Sequence, residues 1–498
     1  MVVALYSAAQ VREIDQAEIA SGTPGIVLMR RAGKAALDEL NKLWPDCDEL
    51  LIVCGGGNNA GDGYVVAELA LRQSLPVKVY AAKPLANLKG DALEAALQAG
   101  SSGVEIIPAA DLLDHFSFSG RNPVIVDALL GTGFSGELSD SYAALTRWIN
   151  ASGKLVLALD LPSGVHADTG AVAVDAVAAD ATVSFVGRKK GLYTAAGKQL
   201  CGHLCFYDLL VSDKAYAQFE SDCYLLEPQS HLGFLLRPID SHKGRHGHAM
   251  IVAGRERTGG AGLLSAEACL RTGAGLTSLF AASTTVSAAL SRLPEVMSST
   301  IDRERVDTEK LARASALCLG PGLGLDDKAV ELACVALTLD CPKILDADAL
   351  TLMADGRISV DKESAFIMTP HPGEAARLLA TNTANVQQNR FAAAEALNQR
   401  YGGVVVLKGA GTIVFDGSRT WVCDKGNPGM SVGGMGDVLS GVLVALLAQE
   451  LSPGVAAQLG VWAHSYAADI EAEKHGPLGL AASDLIPTIR QILNGKAV

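Results

Sequence analysis

The sequence predicts two α/β domains in series, each a mostly parallel sheet covered by helices on both faces. Three observations carry that prediction. Short apolar runs of strand length alternate with amphipathic helical patterns along nearly the whole chain. At 498 residues the chain is about three times the length of a single domain. With 49% apolar and 19% charged residues it can build full-sized cores, and 52 glycines against 5% aromatics favour tight strand-to-helix turns.

The same numbers exclude other classes. A formal charge of −13 and a pI near 5.3 argue against a nucleic-acid partner, because phosphate backbones demand a clustered Lys/Arg footprint. The longest apolar run, near residues 441–448, is far short of a bilayer span, so no membrane partner is expected. The opening MVVALYSAAQVREID has neither a basic n-region nor a long apolar stretch, so a cytoplasmic protein without a signal peptide is expected. Among the ten cysteines only Cys201 and Cys205 lie close, at a spacing that fits neither a zinc ribbon nor a redox pair. Buried, reduced thiols are the expectation.

In chain order, the first block reads as helices over residues 11–19 and 27–43, strand LLIVCG, helix DGYVVAELALRQS, strand VKVYAA and a further helix. Strands PVIVDALL, KLVLALDL and ATVSFV follow. A less regular stretch over residues 220–247, with Pro228, Pro238 and the polar cluster SHKGRHGH, separates the blocks. The domains are therefore expected at residues 1–226 and 227–498. The second block offers strands HAMIVAG, ALCLG, KILDA, AFIMT and VVVLKG, a hairpin TIVFDGSRTWVC, and helices from Asp437 onward. No solenoid-type repeat is present. In such sheets ligands sit beyond the C-terminal ends of the strands.

In CGGGNNAGDGYVVA a strand runs into Gly55, Gly56 and Gly57 and then a helix. Free backbone N–H groups and the helix dipole then face any ligand. The run is neither GxGxxG nor a P-loop. Asn58, Asn59 and Asp62 place more polar side chains in one turn than a turn requires. VIVDALLGTGFSGE sets Asp127 at the end of an apolar strand, and LALDLPSG does the same with Asp160 and Ser163. A single such Asp is often only a helix cap. Asn59, Asp127 and Ser163 together suit a hard, weakly charged cation better than zinc, which lacks a His/Cys set here.

In the second block NPGMSVGGMGDVLSGVLVALLA is the most specific feature. Backbone N–H groups of residues 434–437 at a helix start would make an anion hole, with Asp437 in reach of the anion. That pairing suits phosphoryl transfer, the carboxylate taking the acceptor hydroxyl's proton. VVLKGAGTIV adds a cation, Lys408, and a tight turn suited to nucleotide phosphates. His371 and Glu374 stand in a Pro-bounded loop in MTPHPGEAARLL, where His371 could equally be a local cap. GPGLG and TGGAGLL supply further close-approach backbone, while SHKGRHGH reads as a solvated loop or interface.

With these motifs in view, the GGGNNAGDG turn, VDALLGTG and DLPSG resemble the NAD(P)H-hydrate epimerases. SHKG, GPGLG, HPGE, KGAGT and NPGMSVGGMGD resemble the ADP-dependent NAD(P)H-hydrate dehydratases, a branch of the ribokinase-like fold. Together they are similar to the bacterial bifunctional NAD(P)H-hydrate repair family over nearly the whole chain; Ala60, where Gly is frequent, is a small departure.

The resemblance implies a Rossmann-like three-layer α/β/α domain followed by a ribokinase-like α/β domain. The first would interconvert the R and S forms of hydrated NADH and NADPH (NADHX and NADPHX). The second would dehydrate the S form using ADP, with Mg2+ on the nucleotide. It further implies potassium at Asn59, Asp127 and Ser163, and epimerase substrate at Asn58, Asn59, Ala60, Gly61, Asp62, Gly131, Thr132, Gly133, Phe134, Ser135, Gly136, Glu137 and the catalytic Asp160. In the dehydratase, Ala261, Gly322, His371 and the catalytic Asp437 would meet the hydrate. Lys408, Gly409, Ala410, Gly411 and Thr412, with Asn427, Pro428, Gly429, Met430, Ser431, Val432, Gly433, Gly434, Met435 and Gly436, would bind ADP. A homo-oligomer is expected. The alternative is a ribokinase-like vitamin-precursor kinase fused to a Rossmann-like binding module, against which HPGE and KGAGT tilt.

Overall fold

The computed structural model describes residues 3–114, 118–301 and 313–496. The chain divides into two compact units, Ala4–Cys223 and the chain from Tyr224 onward, so the division falls three residues ahead of the expected one.

In the first unit, seven strands form one wholly parallel sheet: β1 (Glu49–Cys54), β2 (Val77–Ala81), β3 (Glu105–Pro108), β4 (Pro123–Ala128), β5 (Leu155–Leu159), β6 (Ala181–Phe185) and β7 (His203–Tyr207). Their spatial order is β3-β2-β1-β4-β5-β6-β7, reversing direction of growth between β1 and β4. A sheet buried on both faces needs apolar residues at every position, and β1 and β4 are buried throughout. Leu50, Ile52 and Cys54 pack with Val124 and Val126 on one face, and Leu51 and Val53 with Ile125 on the other.

The second unit carries β8 (His248–Val252), β9 (Leu276–Ala281), β10 (Met297–Thr300), β11 (Ala316–Leu319), β12 (Lys343–Leu345), β13 (Phe366–Met368), β14 (Val404–Leu407), β15 (Thr412–Phe415) and β16 (Thr420–Cys423). They run in the order β16-β15-β14-β13-β12-β11-β8-β9-β10, with β15 antiparallel to both β14 and β16 and the remaining pairs parallel. Helix Met435–Ala448 is almost wholly buried. It lies so close to helix Gly259–Thr272 that a Cβ on Gly441 would stand 2.2 Å from the Ser265 carbonyl oxygen.

Of these strands, four lie outside the sequence expectation: β3, β7, β9 and β10, as do the short strands Ala4–Leu5 and Cys223–Leu225. Strands β3, β7 and β10 are sheet edges with half-exposed faces, so their sequences are not continuously apolar. In β9, Thr277 and Ser278 are buried, and the Ser278 hydroxyl pairs with His248 Nε2 at 2.7 Å. The helix expected from Asp62 begins at Asn58, because Gly57 already serves as its N-cap.

Candidate active sites

At the first site β1 ends at Cys54, three glycines turn the chain, and helix α1 (Asn58–Arg72) departs. The turn has no room for a side chain at its start: a Cβ on Gly55 would lie 1.9 Å from the Leu129 carbonyl oxygen, while the Gly55 N–H bonds Ala128 O at 3.0 Å. Asn59 is thereby set in the first turn of α1, buried, its Nδ2 donating to Leu130 O at 2.9 Å.

Asp127, at the end of β4, is fully buried. Its Oδ1 accepts from Ser163 Oγ at 2.7 Å and its Oδ2 from Ser163 N at 2.8 Å. Ser163 Oγ in turn accepts from Leu130 N at 2.9 Å. Asn59 and Ser163 thus both bond the Leu130 backbone, and Ser163 also bonds Asp127. Burial pushes the Asp127 carboxyl up to about 6, against the hydrogen bonds it accepts. Among the described residues the buried Asn59 Oδ1 has no hydrogen-bond partner.

The cleft over this turn, about 610 Å³, is lined by Asn58, Asn59, Asp62, Gly131, Thr132, Gly133, Phe134 and Asp160 among the expected residues. Ala60 and Gly61 are buried beneath it; Ser135, Gly136 and Glu137 are exposed beyond it. Asp160 adopts φ 65°, a left-handed conformation uncommon outside glycine. Its Oδ1 binds Lys189 Nζ, which also donates to Phe185 O at 2.6 Å and Ser184 Oγ at 3.2 Å. A Cβ on Gly131 would stand 3.5 Å from Asp160 Oδ2, so this oxygen faces the loop bounding the cleft. Burial pushes the Asp62 carboxyl well up, and the Asp160 and Asp15 carboxylates push it further.

Lys189 was absent from the sequence expectation. It is 1% exposed, in the run GRKKG, where paired basic residues read as a solvated turn. Its position directly after an apolar strand was the available signal.

At the second site Gly434 caps helix Met435–Ala448 with φ 94°, and a Cβ there would meet Leu264 Cδ1 at 2.7 Å. The Met435, Gly436 and Asp437 N–H groups occupy the helix's first turn, where no intrahelical acceptor exists. Lys408, after β14, reaches Asp346 Oδ1 at 2.9 Å and Glu374 Oε2 at 4.0 Å. Although burial opposes it, these carboxylates hold the Lys408 pKa above its ordinary value. Ser440 Oγ donates to Asp346 Oδ2 at 2.8 Å. A Cβ on Gly436 would stand 3.3 Å from Lys408 Nζ, so glycine there lets the ammonium approach the helix start. Burial, then Asp346, pushes the Asp437 carboxyl up to about 6.

Gly322 and Ala261 are brought together through Thr258: its hydroxyl donates to Gly322 O at 2.9 Å and its carbonyl accepts from Ala261 N at 3.1 Å. His371 is the N-cap of helix Pro372–Leu378, Nδ1 accepting from Gly373 N at 3.0 Å while Glu374 Oε2 accepts from His371 N at 2.8 Å. Capping fixes Nδ1 as an acceptor, and Nε2 lies 3.6 Å from Glu374 Oε1. The turn of Gly409, Ala410 and Gly411 is stitched by Arg390, a fully buried residue outside the sequence expectation, which donates to Leu407 O at 3.0 Å and Lys408 O at 3.2 Å. Thr412 closes it with a 3.0 Å bond to Gly409 O. Asn427 caps the turn Pro428–Met430 and bonds Asp469 Oδ1 at 3.0 Å, and Ser431, Val432 and Gly433 lead exposed into Gly434.

Two parallel-sheet units, each with a glycine-rich turn opening a helix beside buried carboxylates, define a two-site enzyme of the nucleotide-handling α/β class. Residues 249–491 match the family model described as NAD(P)H-hydrate dehydratase, and residues 25–191 that of the YjeF-related protein N-terminus. The bifunctional NAD(P)H-hydrate repair enzyme of Coxiella burnetii is 43% identical over 98% of this chain and 99% of its own. A ribokinase-like superfamily protein of Enterococcus faecalis aligns with 56% of this chain and 97% of its own at 27% identity and a TM-score of 0.50. The Bacillus subtilis ADP/ATP-dependent NAD(P)H-hydrate dehydratase co-crystallised with ATP/Mg2+ aligns with 53% of this chain and 97% of its own, at 28% identity and a TM-score of 0.48.

The chain belongs to the bifunctional NAD(P)H-hydrate repair enzyme family, uniting an epimerase and a dehydratase. Among the described residues no helix is long and apolar enough to cross a membrane.

Proposed function

We propose that the unit Ala4–Cys223 epimerises NAD(P)HX at the cleft over Asn59 and Asp160, and that the following unit dehydrates the S form at Asp437 while ADP becomes AMP and phosphate. The observation that carries the reading is Asp437 itself, a carboxylate near 6 in the first turn of a helix whose N–H groups are unpaired by the helix.

A hydroxyl on the reduced ring is a poor leaving group at neutral pH. Asp437, largely ionised at pH 7, takes its proton as the oxygen attacks the terminal phosphoryl group of ADP. The bond to AMP breaks, and the 434–437 backbone with Lys408 balances the charge on the moving oxygens. The phosphorylated oxygen then departs as phosphate, expelled by the ring nitrogen's lone pair, and the adjacent ring carbon gives up a proton to water, which restores the neutral reduced ring. Ala261, Gly322 and His371 meet the hydrate. The segments 408–412 and 427–436 hold ADP; Mg2+ on the nucleotide would supply positive charge there, with Asp346 and Glu374 the carboxylates beside Lys408.

In the epimerase, Asp160 carries the proton traffic at the ring hydroxyl, its charge held by Lys189. Potassium would be held by Asn59, Asp127 and Ser163, supplying positive charge that fixes the turn against the substrate; the open Asn59 Oδ1 supports this assignment. Cys54, Cys269 and Cys318 are buried free thiols, which fits the cytoplasm.

The test is to add ADP to purified protein and mixed NADHX epimers. Full conversion of both forms to NADH is expected. No NADH formed, with a stable phosphorylated alcohol accumulating when ATP and a vitamin precursor are supplied instead, would overturn the reading.

A further inference from the structure

The reading of the first unit as an epimerase places the reacting ring at Asp160 and leaves the adenosine half of the dinucleotide without a seat. Beside the cleft, at the C-terminal ends of β2 and β3, lies a second cavity of about 440 Å³, walled by Ala82, Pro84, Ile107, Ala110 and Leu145. Among the described residues no carboxylate lines it. Lys83 lines both cavities. The Lys83 stem lies across the glycine turn, so that a Cβ on Gly56 would stand 2.9 Å from Lys83 Cγ. Its ammonium is exposed and has neither hydrogen bond nor ion pair among the described residues.

We infer that this second cavity seats the adenosine half of the substrate and that Lys83 receives the 2′-phosphate of NADPHX, making Lys83 the residue that sets a preference for NADPHX over NADHX. The inference rests on the epimerase reading and deepens it. A sheet in the order β3-β2-β1-β4-β5 offers a mononucleotide seat on each side of the point where its growth reverses. Asp160 follows β5 and the second cavity begins at the end of β2, three strand spacings away, or about 14 Å at ~4.8 Å each. An extended dinucleotide crosses that distance and a mononucleotide does not.

The walls suit a flat, weakly polar base, since Ile107 and Leu145 offer apolar contact. At this position a site selecting the unphosphorylated cofactor uses an acid to bond the ribose 2′-hydroxyl, which would repel a 2′-phosphate. The segment AAKPL carries no acid and presents Lys83 instead. The glycine turn beside it leaves N–H groups for the pyrophosphate that links the two halves.

The experiment measures epimerisation of resolved R and S hydrates, by chromatography and without ADP, for wild type and Lys83→Glu. Wild type is expected to show a kcat/KM for NADPHX about tenfold above that for NADHX, the difference lying in KM and shrinking with salt. Lys83→Glu should lower the ratio at least tenfold, again through KM. Ala110→Trp, which fills the second cavity, should raise KM for both dinucleotides while leaving the hydrate of reduced nicotinamide mononucleotide, which has no adenosine, unaffected. Wild type that epimerises both hydrates with a ratio unmoved by Lys83→Glu overturns the assignment of Lys83 and leaves the epimerase standing. An Ala110→Trp variant that slows the mononucleotide equally overturns the adenosine seat. Wild type that epimerises neither hydrate overturns the epimerase reading, and this inference with it.

Discussion

Twice in the molecule a glycine-rich turn leads the chain into a helix, and the two turns differ in what meets them. At residues 55–59 the turn brings Asn59 to the Leu130 backbone, which Ser163 also bonds while it pairs with the buried Asp127. At residues 433–437 the turn brings Asp437 to the side of Lys408, which the Asp346 carboxylate anchors. The backbone device is shared: glycine, free N–H groups and a helix dipole. The chemistry comes from the neighbouring strand ends, which build the proposed cation and substrate cleft in one case and the proposed base in the other.

The sharpest way to break this contrast is Asp437→Asn. The amide keeps the size of the side chain but removes the base, so dehydration with ADP should fall roughly a hundred- to ten-thousand-fold. Epimerisation should continue at the wild-type rate in the same sample, a built-in check on folding. A variant that regenerates NADH at near wild-type speed would make Asp437 a helix-dipole partner only.

Next in size is Gly55→Ala. The added Cβ would lie 1.9 Å from backbone at Leu129, which cannot yield as a side chain could. A cost of about 3 kcal/mol or more follows. For a unit of this size it should appear as a melting temperature lowered by about 10 °C in the transition of the Ala4–Cys223 unit. An unchanged transition would mean that the close approach at Leu129 is absent in solution.

How far the sequence reveals these sites follows from the same contrast. The buried central strands declare themselves because both faces demand apolar residues, and the turns at Gly55 and Gly434 because glycine is required there by contact or by φ. Edge strands such as Glu105–Pro108 are hidden, since half-exposed residues break the apolar run. Lys189 and Arg390 are hidden for another reason. A cation reads as solvated until the fold shows which carbonyls and carboxylates surround it; Lys189 meets Asp160, and Arg390 meets the carbonyls of the 407–411 turn. The capping role of His371 was open in the sequence, and the structure shows Nδ1 accepting backbone N–H groups.

A smaller effect sharpens the comparison through pH. Asp437 must be ionised to accept a proton, and burial has raised its pKa to about 6. The active fraction is therefore nearly complete at pH 7 and falls as pH drops through 6, by about tenfold per unit below it. The kcat/KM of dehydration should show that limb and lose it in Asp437→Asn, whose residual rate should be flat over the range. A wild-type profile flat down to pH 5 would place the base elsewhere.

The smallest expected effect separates glycines that serve the fold from those that serve the ligand. Gly57 sits two residues beyond Gly55 in the same turn, yet its φ is −113° and a Cβ there would meet nothing within 4 Å. Alanine can adopt that conformation, so Gly57→Ala should change stability by no more than about 0.5 kcal/mol. The methyl would instead stand in the space Gly57 lines, at the mouth of the helix where the substrate's phosphates approach. Epimerase KM should therefore rise a few-fold with kcat nearly constant, the pattern of binding lost equally from ground and transition states. Dehydration should not change. If Gly57→Ala instead lowers the melting temperature as Gly55→Ala does, the whole turn is a packing device and the cleft above it is not where phosphate sits.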